Sequence, residues 1–142
     1  YSDYKALFHG HTYGGNPLGC ATALANLDVF DEENTVETGA ERGRLMGELL
    51  AEHIAPLAHT AALRRVGTMA AFEILKDPDS GLRFATDERR AYRAVLEARK
   101  RGVIIRPLGD TMVLMPPPAL PEQLMHELVT ATAESVAAAT AG

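Results

Sequence analysis

The sequence predicts an α+β fold in which helices cover one face of a small, mainly antiparallel sheet. Three observations predict it. From about residue 34 onward the apolar pattern runs helix, strand, helix, strand, strand, helix, switching between helical and alternating spacing. Near the end, two short apolar runs flank the turn former Pro107-Leu108-Gly109-Asp110, which reads as a hairpin. The chain of 142 residues, 46% of them hydrophobic, is long enough to bury a core. With no tryptophan and only 6% aromatic residues, that core has to come from Leu, Val, Ala and Met.

Residues 1–15 are polar, aromatic and glycine-bearing without a sustained period, which predicts extended chain and loop. Asn16-Pro17 then starts a helix, because Asn is a favoured N-cap and Pro is preorganised for the first helical position. Leu18, Ala21, Leu24, Leu27 and Phe30 follow at helical spacing. Its early turns are rich in Ala and Gly, so a close packing partner is expected. Asn34, with Glu37 three residues on, resembles a capping arrangement. The second helix carries Leu45, Met46, Leu49, Leu50 and Ile54 on one face, and Pro56 ends it.

Leu63 to Leu75 alternates in part and predicts a strand or two, with Gly67 at a bend. Lys76 to Gly81 is a turn-rich loop. Thr86 or Asp87 is expected to cap a third helix carrying Tyr92, Val95 and Leu96, closed by Gly102 as a left-handed C-cap. Val103 to Arg106 and Thr111 to Met115 are the hairpin strands, and Pro116-Pro117-Pro118 stops the second. The last helix carries Leu124, Leu128 and Val136, with an Ala-rich tail expected to fray.

Composition excludes several function classes. The formal net charge is −5 and the cations are scattered, against the basic stripe of a nucleic-acid binder. The Arg99-Lys100-Arg101 triplet falls where a helix ends, a place that favours cations. Cys20 is the single cysteine, so no internal disulfide framework exists. No apolar run is long enough to span a membrane, and no secretory leader opens the chain. A cytoplasmic setting is therefore expected. The chain begins Tyr1-Ser2-Asp3-Tyr4 without an initiator Met, as a processed chain or the remainder of something longer would.

Two segments could carry chemistry. In Phe8-His9-Gly10-His11-Thr12-Tyr13-Gly14-Gly15-Asn16-Pro17, glycines and a Thr hydroxyl precede a helix N-terminus, where free N–H groups and the helix dipole favour an anion. An ordinary loop entering a helix is the alternative. Arg106 ends an apolar run just before a proline turn. It could fork onto a carboxylate through two parallel hydrogen bonds, or simply snorkel over the sheet. His9 and His11 have no further ligands at metal-site spacing, so no metal is expected. Cys20 reads as a small packed residue, and Glu73 as an acid at a sheet edge.

His9-Gly10-His11-Thr12-Tyr13-Gly14-Gly15-Asn16-Pro17-Leu18-Gly19-Cys20-Ala21 resembles the signature of class III (ω-type) pyridoxal-phosphate aminotransferases. Gly102-Val103-Ile104-Ile105-Arg106-Pro107-Leu108-Gly109-Asp110, Met115-Pro116-Pro117 and Gly67-Thr68-Met69 leading to Glu73 point to the branch that aminates 8-amino-7-oxononanoate to 7,8-diaminononanoate in biotin biosynthesis. The resemblance covers nearly the whole chain. It implies a fold-type I transferase with residues 1–33 as the end of the large domain and the linking helix, and 34–142 as the C-terminal small domain. It also implies a homodimer with active sites at the subunit interface, small keto-acid and amine substrates, and pyridoxal 5'-phosphate as cofactor.

By resemblance, His11 and Thr12 contact the cofactor phosphate across that interface. Gly10 lines the substrate pocket, and Arg106 binds the carboxylate of the keto substrate. The family's cofactor-bearing lysine and the aspartate that pairs with the pyridine nitrogen lie upstream of the matching segment. Lys5, Lys76 and Lys100 do not sit in that lysine's context, so no catalytic residue is assigned within the chain, and alone it is expected to be inactive. The amino donor is S-adenosylmethionine or lysine. Members using the former tend to carry a tyrosine where Val113 stands here, which turns the expectation toward lysine. The alternatives are another class III aminotransferase, or a non-enzymatic α+β module that binds a small anion.

Overall fold

The computed structural model describes Asp3, Lys5 and residues 9–141. They fall into two compact units, divided between Thr35 and Val36. The first contains the loop that ends at Asn16 and helix α1 (Pro17–Glu32). The second contains α2 (Thr35–His53) beyond its first residue, β1 (Thr60–Val66), β2 (Met69–Ile74), α3 (Arg90–Lys100), β3 (Arg106–Leu108), β4 (Thr111–Leu114) and α4 (Glu122–Thr140), with a short 3-10 turn at Thr86–Glu88.

Helix α1 starts as the sequence predicts. The Asn16 side-chain oxygen accepts from the N–H groups of Leu18 at 2.9 Å and Gly19 at 3.2 Å, and Pro17 opens the first turn. Its apolar ridge is not buried: Leu24, Leu27 and Phe30 are all exposed, as is Cys20. The expectation of a packed Cys20 is therefore not met. Asn34 links α1 to α2 in the left-handed region, at φ 48°, a conformation that Asn tolerates better than most residues.

The second unit is the α+β arrangement expected. Its four strands run β1-β2-β4-β3, and all three pairings are antiparallel. One sheet face is buried by Ala70, Phe72, Ile74, Met112 and Leu114, which join Met46, Leu49 and Leu50 of α2, Ala94, Val95 and Ala98 of α3, and Met125, Val129 and Val136 of α4 in one core. The other face carries Ala71, Glu73, Thr111 and Val113, the alternation that puts successive side chains on opposite faces.

Several details differ from expectation. On α3 the buried stripe is Ala91, Ala94, Val95 and Ala98, while Tyr92 and Leu96 are exposed. The small residues face inward because α3 packs tightly. On α4, Met125 and Val129 take the core positions, Leu124 is exposed, and the Ala-rich end stays helical to Thr140, in keeping with alanine's high helix propensity. The first hairpin strand begins at Arg106, not Val103, and includes Pro107; an edge strand tolerates the missing donor. The turn shrinks to Gly109-Asp110, with Gly109 at φ 60°. Glu73 lies on an inner strand, not an edge.

Helix α2 approaches the β1–β2 turn closely. A Cβ on Gly43 would lie 2.8 Å from the Gly67 carbonyl oxygen, whereas one on Gly47 would meet only the flexible Arg65 side chain. Gly43→Ala is therefore expected to destabilise the fold by about 1–2 kcal/mol. Overpacking costs about 1–3 kcal/mol, and it outweighs a helix-propensity gain of about 1 kcal/mol. Gly47→Ala should be neutral or stabilising. Denaturant unfolding of both variants checks this, and a stabilised Gly43→Ala would contradict it. Among the described residues no helix is long and apolar enough to cross a membrane.

Candidate functional site

The glycine-rich loop of the first unit is a tight, open turn. Gly14 N–H donates to the His11 carbonyl at 2.9 Å, and Asn16 N–H donates to the Tyr13 carbonyl at 3.1 Å. This leaves the Thr12 hydroxyl with no partner among the described residues. His9 and His11 meet edge to face, with ring centroids 4.9 Å apart. Gly15 takes φ 75°, and a Cβ placed on Gly10 or Gly15 would meet nothing within 4 Å. The loop therefore offers a hydroxyl donor, an imidazole and an uncrowded backbone within a few residues. His11, Thr12 and Gly10 belong together in this loop, whereas Arg106 belongs to the second unit. Phe8 lies outside the described residues.

Arg106 opens β3 and is paired with Val113 of β4. Val113 is opposite Ala71, and Ala71 is opposite Arg64, so the four form one row across the sheet. Directly opposed residues share a face, so Arg106 stands on the face turned away from the helical core. It also lines a cleft of about 700 Å³ with Ile104, Leu108, Met115, Pro117, Leu124 and other apolar residues. No acidic side chain lines that cleft, and no hydrogen bond or ion pair joins Arg106 to another described residue. Here is an unneutralised guanidinium beside an aliphatic surface.

A second set of charges holds the hairpin that carries Arg106. Arg83 donates to Asp110 at 2.8 Å and lies 3.5 Å from Glu73, which is itself 3.9 Å from Arg64. The hydrogen bond and charge of Asp110, with Glu73 adding to them, hold the Arg83 guanidinium above its ordinary pKa. Sequence reasoning did not pick out Arg83, and it named Asp110 only as part of a turn and a motif. Arg83 and Asp110 are 27 residues apart, and no local pattern announces such a pair.

The Aminotransferase class-III family profile matches residues 1–136. The chain belongs to the class III aminotransferases. It is 46% identical over 140 residues to the adenosylmethionine-8-amino-7-oxononanoate aminotransferase of Nitratidesulfovibrio vulgaris, covering 99% of this chain and 26% of that protein. The crystal structure of the enzyme of that name from Methanocaldococcus jannaschii matches with a TM-score of 0.83 at 31% identity, over 95% of this chain and 31% of that one. The PMP-bound form of an aminotransferase from Vibrio fluvialis matches with a TM-score of 0.86 at 31% identity, over 97% and 30%. The chain thus spans between a quarter and a third of the length of these class III relatives.

Pyridoxal phosphate is the cofactor of this family, and the loop's chemistry fits one end of it. The Thr12 hydroxyl, without a partner among the described residues, and the open backbone at Gly10 and Gly15 suit a phosphate. The described lysines, Lys5 among them, are all exposed. Lys100 is ion-paired with Glu97 at 2.5 Å, and Lys76 is exposed in the loop after β2.

Proposed function

We propose that this chain is the C-terminal part of a homodimeric, pyridoxal-phosphate-dependent aminotransferase that converts 8-amino-7-oxononanoate to 7,8-diaminononanoate in the cytoplasm. The observation that carries the reading is Arg106, which has no partner among the described residues and lines an aliphatic cleft. A keto acid of this kind has a carboxylate at one end of a methylene chain. The guanidinium would take the carboxylate in a two-point hydrogen bond, and the apolar lining would accept the methylenes.

The division of labour follows from the residues. His11 and Thr12 would hold the cofactor phosphate of the partner subunit's site, and Gly10 would leave room for substrate beside it. When bound, the cofactor supplies the electron sink through which the amino group passes. Arg106 orients the keto acid so that its carbonyl end faces the reacting centre. No residue of this chain is assigned a proton-transfer role. Residues 1–33 correspond in this reading to the end of the large domain and the linking helix, and 34–142 to the small domain.

The amino donor is S-adenosylmethionine or lysine, and Val113, opposite Arg106, favours lysine. Assaying the complete enzyme with 8-amino-7-oxononanoate and each donor in turn tests both points. Turnover of the keto acid with lysine is expected. Efficient use of S-adenosylmethionine with lysine ignored would overturn the donor, and failure to aminate this keto acid with any donor would overturn the substrate. In the same enzyme, Thr12→Val is expected to weaken cofactor binding by on the order of tenfold, the loss of one hydrogen bond to a charged group. Equilibrium release of the cofactor measures it, and unchanged affinity would remove Thr12 from the phosphate site.

A further inference from the structure

We infer that Arg83 is a positioning residue for Arg106: it staples the tip of the β3–β4 hairpin to the inner strand β2, and so fixes where the carboxylate-binding guanidinium stands. The inference rests on the reading of Arg106 given above.

Within the sheet, little holds β3. It has three residues, lies at the sheet edge, and pairs only with β4. Its middle residue, Pro107, has no N–H to give. Short edge strands held by one neighbour are among the parts of a sheet most easily displaced. Arg106 opens this strand, three residues before the turn at Gly109-Asp110. Any rotation of the hairpin about β4 therefore moves Arg106.

Two contacts oppose that rotation at the tip. Ile74 N–H donates to the Asp110 carbonyl at 2.9 Å, and the Asp110 carboxylate accepts from Arg83 at 2.8 Å. The same guanidinium reaches Glu73 at 3.5 Å. Glu73 is paired with Thr111, the residue after the turn, so Arg83 bridges the turn to its neighbouring strand on the open face.

Arg83 is itself anchored. Leu82 before it closes a backbone bridge with Asp77, its N–H donating at 3.0 Å. Phe84 after it packs on the core, with the His59 ring at 5.3 Å and the Arg90 guanidinium over its face at 5.0 Å. A firmly seated segment thus presents one side chain to the tip of a hairpin whose outer strand, β3, is paired on one side only.

The contact is half exposed, so its effect on global stability is small. Its effect on placement is larger, because misplacing a substrate-orienting group by about 1 Å is costly. In the complete enzyme, Arg83→Ala is expected to raise the KM for the keto acid about five- to tenfold. The thermal midpoint should hardly change, and the donor half-reaction should be spared wherever Arg106→Ala spares it. Arg83→Lys, which keeps one charged contact to Asp110, should recover part of the loss. The exchange Arg83→Asp with Asp110→Arg should recover more than either single change. Asp110→Asn serves as the second variant if Arg83→Ala does not fold.

Arg106→Ala is measured alongside. If it raises the KM while Arg83→Ala and Asp110→Asn do not, the staple is wrong and the reading of Arg106 stands. If none of the three raises it, the reading of Arg106 fails and takes the staple with it. A donor half-reaction slowed by Arg83→Ala but not by Arg106→Ala, or a fall in the thermal midpoint that accounts for the loss, would mark a purely structural role and overturn the inference.

Discussion

Arg106→Ala in the complete enzyme is expected to raise the KM for 8-amino-7-oxononanoate by on the order of 100-fold. The carboxylate would lose a two-point, charge-assisted contact of about 2–3 kcal/mol, and each 1.4 kcal/mol is about tenfold. Among the described residues that line its cleft there is no other cation to replace it, and no acid. The donor half-reaction should be spared wherever the donor binds without this arginine. Steady-state kinetics with the keto acid varied, and single-turnover measurement of the donor step, separate the two. Arg106→Lys should recover only part of the loss, because an ammonium cannot reproduce the planar fork. A variant with unchanged KM would remove Arg106 from the substrate site.

The second large effect concerns the 142-residue chain by itself. Mixed with pyridoxal phosphate and treated with borohydride, it should show no stoichiometric labelling of any one lysine and no amino transfer. Its lysines are Lys5, Lys76 and Lys100. Lys100 is exposed and ion-paired with Glu97, and Lys5 and Lys76 are exposed, so none of the three sits in a desolvated site that would activate an amine. Mass mapping of the labelled chain reads the outcome. Stoichiometric labelling of one lysine would give this chain an active site of its own and overturn the division of labour proposed above.

Much of the architecture was legible because local chemistry and the fold agree. Asn16-Pro17 marks its helix start through a side-chain oxygen that accepts from Leu18 and Gly19. Gly102, at φ 79°, closes α3 where a left-handed residue is needed. The hairpin was legible from its turn. Its limits were not: the β-branched run Val103-Ile104-Ile105 suggests a strand, yet it forms the connection into β3, with Ile105 buried and Ile104 exposed. Which face of α3 turns inward was not legible either. Helical spacing fits Tyr92 and Leu96 as well as Ala91 and Ala98, and only the close approach of α3 to its neighbours selects the alanines.

The candidate site divides in the same way. The loop from His9 to Asn16 and the position of Arg106 were visible because each is a contiguous motif. The staple through Arg83, Glu73 and Asp110 joins a loop, an inner strand and a turn. Such a contact exists only once the sheet has formed, and no spacing in the sequence encodes it.

The central claim is that Arg106 recognises the carboxylate of an aliphatic keto acid. The most direct measurement compares wild-type and Arg106→Ala enzymes on 8-amino-7-oxononanoate and on the same ketone lacking its carboxylate. The wild type should prefer the acid by on the order of 100-fold in kcat/KM, and the variant should lose most of that preference while treating the neutral ketone as the wild type does. If the substitution instead slows both substrates equally and the preference for the acid survives, the carboxylate is bound elsewhere and the account is wrong.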